Sequence, residues 1–247
     1  MNMSYKELIS VEVVIMTGGK GMRMAPYTKV LPKGLLPVGE QPILEIIVKQ
    51  LRNYGFTSIT MACGYLSGLI QTYFGDGSSR GVSISYYVEN EPLGTVGPIK
   101  LIRRRSGPFL LINCDVLTTL DFSRFRDFHI QGGSILTIAS QKKGIPIELG
   151  VLETQDEFVT DFVEKPTRSA YVSMGIYMMN PEVADYIPSH QYFDIPDLIH
   201  ALLDADEKVR HYENNDFWLD IGRPVDYTLA NEQFGKLKSL LLPGEPV

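Results

Sequence analysis

The sequence predicts an α/β protein with a mostly parallel sheet flanked by helices. Three observations lead there. Val13 to Met16 is a run of four apolar residues, the pattern of a short strand buried on both faces. That run empties into Gly18, Gly19 and Gly21, a turn in which backbone N–H groups can approach an anion with no side chain in the way. Strand-like and helix-like segments then follow one another along the chain, as a sheet with helical crossovers requires. With 247 residues, 44% of them hydrophobic, the chain can build one large domain with a sizeable core. Residues 1–247 are therefore read as a single domain, with 1–10 as a lead-in and 239–247 as a C-terminal tail.

In chain order, Pro42 to Tyr54 places Ile43, Leu44, Ile47, Val48 and Leu51 on one helical face, with Pro42 suited to the first turn and Gly55 to the position past the end. Ser58–Cys63 reads as a strand, Leu66–Phe74 as a helix closed by Gly75, and Val82–Val88 as a strand. A loop, Glu89 to Thr95, leads into a helix with Thr95 as its cap and Pro98 in its first turn. Arg103, Arg104 and Arg105 close that helix as solvated charges at the negative end of its dipole. Phe109–Asn113 is an apolar strand. Asp121 caps a helix to about Gln131, and Ile135–Ala139 returns as a strand. Leu149–Glu153 and Phe158–Glu164 form an antiparallel hairpin, followed by a strand at Tyr171–Met178. Pro181–Ile187 and Pro196–Leu203 read as helices with proline in the first turn, and Val209–Tyr212 as a short strand. A final helix from Val225 to about Lys238 turns Tyr227, Leu229 and Phe234 inward, before the chain frays through Leu242 to Pro246.

Composition narrows the function classes. A formal net charge of -6 argues against broad attraction to nucleic acid, so any phosphate ligand needs a local cluster of positive charge. Two cysteines, Cys63 and Cys114, are too few for a disulfide framework and suit a reducing compartment. No apolar run approaches the roughly 20 residues of a membrane span, and Met1–Ser10 lacks the basic start and apolar run of a signal peptide. These features predict a cytoplasmic protein without membrane or nucleic-acid partners; homo-oligomerisation is left open.

The chemistry concentrates near the glycine turn. Arg23 and Lys33 bring two positive charges there, and glycines with a guanidinium and an ammonium suit a triphosphate better than an isolated carboxylate. Two familiar phosphate motifs are excluded. No stretch supplies G-x-x-x-x-G-K-[ST], and after Gly19 and Gly21 the third position of G-x-G-x-x-G is Met24. Asp115 ends the Phe109–Asn113 strand, where ligands of open parallel sheets sit, and is a metal-ligand candidate. Gly77-Ser78-Ser79-Arg80-Gly81 matches the hydrolase G-x-S-x-G pattern, but a helix precedes it and a strand follows, the reverse of a nucleophile elbow, so Ser79 is read as a turn residue. The four histidines, His129, His190, His200 and His211, show no metal-ligand spacing.

Several segments together resemble the sugar-1-phosphate nucleotidylyltransferase family. They are Gly18-Gly19-Lys20-Gly21-Met22-Arg23, Pro26-Tyr27-Thr28, Pro32-Lys33-Gly34-Leu35-Leu36-Pro37-Val38, Glu89-Asn90-Glu91-Pro92-Leu93-Gly94-Thr95, Asp115-Val116-Leu117, Val163-Glu164-Lys165-Pro166, Gly175-Ile176-Tyr177 and Trp218-Leu219-Asp220-Ile221-Gly222-Arg223-Pro224. The likeness extends over nearly the whole chain. It implies a Rossmann-like sheet with the small hairpin covering a sugar site, and transfer of a nucleotidyl group from a nucleoside triphosphate to a sugar 1-phosphate with release of pyrophosphate. Two departures stand out: Cys114 occupies a position commonly glycine, and Ser173-Met174 precedes Gly175 where the family commonly has Asn-Ala or Asn-Thr.

The resemblance also implies roles. Gly18, Gly19, Gly21, Arg23, Lys33, Glu89, Gly94 and Thr95 would bind the nucleotide; Gly150, Glu164, Lys165, Gly175 and Tyr177 the sugar phosphate. Arg23, Lys33, Asp115, Lys165 and Asp220 would carry catalysis, with Asp115 and Asp220 holding Mg2+, a hard cation that prefers carboxylate and phosphate oxygens. The segments look most like those of guanylyltransferases, and a carboxylate at Glu89 or Glu91 could accept from guanine N1–H and N2–H. GTP is therefore the expected donor, with UTP, CTP or dTTP as alternatives. A non-catalytic sugar-nucleotide-binding subunit should lack part of this charged set, which is complete here. A glycosyltransferase should carry D-x-D at a strand end, whereas Asp204-Ala205-Asp206 falls at a helix end.

Overall fold

Val13, Val14 and Ile15 have no exposed surface, because the strand they form, β1 (Glu12–Thr17), is covered on both faces. The computed structural model describes residues 11–102 and 106–244; the lead-in at 1–10, the Arg103–Arg105 run and residues 245–247 lie outside the described residues. After β1 come three single 3-10 turns, the short pair β2 (Pro37–Val38) and β3 (Gln41–Pro42), and helix α1 (Ile43–Asn53). There follow β4 (Ser58–Cys63), α2 (Ser67–Phe74), β5 (Ser83–Val88), α3 (Gly97–Leu101), β6 (Phe109–Asn113), β7 (Val116–Thr118) and α4 (Phe122–Gly132). The second half adds β8 (Leu136–Pro146), β9 (Val151–Gln155), β10 (Phe158–Val163), β11 (Thr167–Met179), α5 (Ile195–Asp204), β12 (Val209–Glu213), β13 (Trp218–Asp220) and α6 (Pro224–Leu241).

Seven strands make the central sheet in the order β12-β8-β11-β6-β1-β4-β5. Four of its pairings are parallel, and β11 runs antiparallel to both β6 and β8. One apolar layer, with α1 and α4, includes Ile47, Leu51 and Phe125; the other, with α5, includes Leu198 and Leu202. The predicted α/β architecture is therefore the observed one.

Differences fall where side-chain competition decides. Helix α3 starts after Val96, not Thr95, because the Thr95 hydroxyl is engaged with Asp194 at 3.0 Å. Strands β8 and β11 run on as a two-stranded arm, pairing as far as Pro146 with Thr167; those outer residues mix polar and apolar side chains with no core-facing period. The segment at Pro181–Tyr186 is a 3-10 helix. Helix α6 extends to Leu241, and Leu241 and Leu242 are buried, so the expected tail at 239–247 begins later than the sequence suggested. Leu229, expected inward on α6, is 41% exposed, whereas Phe234 is buried. Ser79 lies on the 3-10 turn Ser78–Arg80, and Asp204-Ala205-Asp206 is the exposed end of α5. Among the described residues no helix is long and apolar enough to cross a membrane.

Candidate active site

From β1 the sheet continues to β4 and β5 on one side and to β6 and β11 on the other. The loops leaving the carboxyl ends of β1 and β6 therefore part, and a crevice opens between them. The two strand ends are held level: Met16 pairs with Asn113, and the Cys114 amide donates to the Met16 carbonyl at 3.2 Å. Gly18–Gly21 leaves β1 there and Asp115 leaves β6. Gly21 has φ +58, and a Cβ on it would sit 2.9 Å from Thr28 Cγ2; the Thr28 hydroxyl donates to the Gly21 carbonyl at 2.8 Å and fixes the turn.

A cavity of about 1100 Å³ occupies the crevice. All eight residues expected to bind a nucleotide line it: Gly18, Gly19, Gly21, Arg23, Lys33, Glu89, Gly94 and Thr95. Asp115 lines it too, and its Oδ2 is ion-paired with Lys33 Nζ. Its other oxygen, Oδ1, is buried with no hydrogen-bond partner. Strand β13 pairs with β7, setting Asp220 opposite Val116, and the Ile221 amide donates to the Asp115 carbonyl at 2.9 Å. A Cβ on Gly222 would lie 3.4 Å from both Arg23 Nη2 and Asp220 Oδ2. Arg23, Lys33 and Asp115 thus line the cavity together, and Asp220, exposed and outside its lining, is within electrostatic reach of all three. Desolvation pushes the Asp220 carboxyl above its ordinary value and the Asp115 charge adds to this, against the pull of Lys33 and Arg23. Burial, reinforced by Asp115, pushes the Cys114 thiol up to about 12, so it stays a neutral wall of the site.

Glu89 follows β5, and its carboxylate lies against the glycine turn: a Cβ on Gly18 would be 3.3 Å from Glu89 Oε1. Its Oε2 accepts from the Leu93 amide at 3.3 Å, and its Oε1 is buried without a partner. Burial raises its carboxyl above the usual range, partly offset by that amide.

A second cavity of about 500 Å³ shares Thr95, Asn113 and Asp194 with the first and is also lined by Ser173, Tyr177 and His200. None of its lining residues is a lysine or arginine. The Tyr177 hydroxyl lies 2.8 Å from Ser173 Oγ. Gly175 sits in the β11 irregularity between Ser173 and Tyr177 with φ +73, and a Cβ there would be 2.7 Å from Asn113 Nδ2. The Trp218 indole donates to the Met174 carbonyl at 2.9 Å, tying this irregularity to β13.

Gly150, Glu164 and Lys165 are exposed on the β9–β10 hairpin ends and line neither cavity. Lys165 has φ +46. The hairpin forms where the sequence predicts it, but none of its residues lines the second cavity. Sequence reasoning missed Asn113, Tyr192 and Asp194, all of which line the main cavity. The signal for Asp194 was readable only as a helix start, because its partner Thr95 is 99 residues away.

Asp115 and Asp220 suit a hard cation: one carboxylate presents an orphaned buried oxygen, and two like charges are held together. Among the described residues, no three histidine, cysteine or acidic side chains gather as a metal site.

A glycine turn with paired basic and acidic side chains at a sheet switch point gives an α/β protein a site whose chemistry suits a phosphate ligand. The chain belongs to the nucleotidyl transferase family, whose model matches residues 12–236. Among curated relatives, it is 33% identical over 260 residues to a UTP–glucose-1-phosphate uridylyltransferase of Synechocystis sp., covering 95% of this chain and 66% of the relative. It is 32% identical to the mannose-1-phosphate guanyltransferase of Saccharomyces cerevisiae, covering 87% of this chain and 62% of the relative. The chain thus spans just under two thirds of the length of these relatives. Among solved structures, a candidate glucose-1-phosphate thymidylyltransferase from Bacillus anthracis, in complex with sucrose, superposes with TM-score 0.75 at 25% identity, covering 96% of this chain and 97% of that one. HddC from Yersinia pseudotuberculosis gives TM-score 0.72 at 25% identity over 91% and 99% of the two chains.

Proposed function

We propose that the protein transfers a nucleotidyl group from a nucleoside triphosphate, GTP by preference, to a sugar 1-phosphate, releasing pyrophosphate. The observation that carries this is the gathering of Arg23, Lys33 and Asp115 on the glycine-turn cavity, with Asp220 within electrostatic reach of all three and a second cavity alongside that has no lysine or arginine in its lining. Both reactants are polyanions, so catalysis rests on positioning and charge neutralisation.

The Gly18–Gly21 amides would face the phosphates. Arg23 would hold the β- and γ-phosphates and stabilise the departing pyrophosphate, and Lys33 would act as a point charge against the triphosphate. The attacking sugar phosphate oxygen would approach the α-phosphorus from the side of the second cavity, with Gly175 and Tyr177 lining the sugar. Lys165, with Glu164 and Gly150 beside it, rides on the arm; its role against the sugar phosphate requires that arm to bend toward the cavity. Asp115 and Asp220 would hold Mg2+, which when bound supplies charge neutralisation at the phosphates.

GTP is favoured by Glu89. Its buried, partnerless Oε1 is an acceptor in need of a donor, and guanine offers N1–H and N2–H side by side. Mannose-1-phosphate guanyltransferases among the relatives agree with this; the 33% identical uridylyltransferase favours UTP instead. Purified protein with Mg2+, tested against four nucleoside triphosphates and a panel of sugar 1-phosphates, separates the two: guanine preference supports the assignment, and preference for UTP, CTP or dTTP rejects it.

A further inference from the structure

The segment before α5 is bound to the Leu93–Gly97 loop more tightly than a surface connection requires. The Phe193 amide donates to the Leu93 carbonyl at 2.9 Å, and the Val96 and Gly97 amides both donate to the Phe193 carbonyl at 3.1 Å. Asp194 Oδ1 accepts from the Thr95 amide at 2.8 Å and from the Thr95 hydroxyl, while the Ile195 amide donates to that hydroxyl oxygen at 2.9 Å. Asp194 Oδ2 accepts from the Tyr192 hydroxyl at 2.6 Å. The approach is so close that a Cβ on Gly94, itself at φ +80, would lie 2.6 Å from the Phe193 carbonyl oxygen and 2.9 Å from Asp194 Oδ1. Asp194 and Thr95 stand at the border of the two cavities and line both.

We propose that Asp194 is a positioning residue: by clamping Thr95 it holds the Gly94–Thr95 wall of the nucleotide cavity in its binding geometry. This rests on the nucleotidyl-transfer reading of the site. The carboxylate is suited to the task. Burial opposes its ionisation, yet the Tyr192 hydroxyl, followed by the Thr95 amide and hydroxyl, holds it below the usual carboxylate range, so it is charged at neutral pH and makes charge-assisted bonds. In this role it acts on the nucleotide through Thr95; a direct contact from the second cavity, which Asp194 also lines, is the alternative that the experiment tests.

The experiment measures GTP and UTP binding by calorimetry with no sugar phosphate present, alongside amide hydrogen exchange at Thr95 to Gly97. The proteins are the wild type, Asp194→Asn, Asp194→Ala and Thr95→Val. Loss of a hydrogen bond to a charged group predicts nucleotide affinity lower by about 10- to 100-fold in Asp194→Ala, with a smaller loss in Asp194→Asn and faster exchange at Thr95 in both. Thr95→Val combined with Asp194→Asn should cost less than the two singles summed. Unchanged nucleotide affinity with a raised KM for sugar phosphate would overturn the proposal, making Asp194 a direct sugar contact. Unchanged amide exchange in every variant would overturn it as well. Should Asp194→Ala not fold, Asp194→Asn and Thr95→Val carry the test. A wild-type protein that binds neither nucleotide sinks the functional reading instead, while the exchange data still report on the clamp.

Discussion

Lys33 and Asp115, 82 residues apart in sequence, form an ion pair on the floor of the main cavity, and the pair leaves Asp115 Oδ1 buried and without a partner. One oxygen is spent on holding the lysine; the other is presented to whatever enters. Asp115→Asn keeps the shape and an acceptor for Lys33 but removes the charge. We expect turnover with Mg2+ to fall by roughly 100- to 1000-fold, the scale of one lost electrostatic stabiliser, with an unchanged circular dichroism spectrum. Wild-type turnover in this variant would remove the metal role from Asp115.

Glu89 gives a pH prediction. Burial raises its carboxyl above the ordinary value, and only the ionised form can accept from both guanine N–H groups. GTP affinity is therefore full above that raised pKa and falls as pH drops through it. In Glu89→Gln the acid limb should vanish and the preference for GTP over UTP should drop by about tenfold or more, as for a lost pairing to a charged group. Binding titrations from pH 5 to 8 would show this; an acid limb that persists in Glu89→Gln assigns it to another group.

Lys165 lines neither cavity, so its function depends on the arm. Lys165→Ala should lower kcat by about 100- to 1000-fold while leaving GTP binding without sugar phosphate unchanged. Weakened GTP binding would show that Lys165 serves the nucleotide.

Asp121 is a control on stability alone. It caps α4, its side chain accepting from the Arg124 amide at 3.0 Å. Asp121→Ala should cost about 0.5–2 kcal/mol in denaturant unfolding without altering KM for either substrate.

His129 sets an acid limit on the fold. Its ring is buried, with Nδ1 2.8 Å from Thr137 Oγ1 and Nε2 3.1 Å from Asn180 Oδ1. Burial lowers its pKa, and Arg210 adds to this against the Asn180 bond. The unfolded chain thus binds the proton more readily. The stability the neutral ring contributes is present above the ordinary histidine pKa and is lost as pH falls through the depressed one. The melting temperature of His129→Gln should depend less on pH between 7 and 5 than that of the wild type; equal slopes would exclude His129 as the source.

The half of the chain built from short-range patterns was readable in advance. Phe109–Asn113 and Ser58–Cys63 are strands with those same bounds, because apolar runs bounded by turn residues leave few alternatives. The glycine turn and Asp115 were legible because they follow the ends of β1 and β6, and Lys33 because it lies in the Pro32–Val38 segment that resembles the family's. What was not legible depends on distant partners. Thr95 reads as a cap until Asp194, 99 residues on, takes its hydroxyl and amide. The length of the β8–β11 arm was hidden because residues such as Lys142 and Lys143 carry no core-facing pattern and pair only with Tyr171 and Ala170. Where Lys165 sits follows from that arm, not from the Val-Glu-Lys-Pro motif around it.

The most direct test incubates the purified protein with Mg2+, GTP and a hexose 1-phosphate and follows the phosphorus by 31P NMR. The account predicts stoichiometric appearance of a sugar nucleotide and inorganic pyrophosphate, abolished in Asp115→Asn. Absence of both products with every nucleoside triphosphate and sugar 1-phosphate offered, from a folded protein, would contradict it.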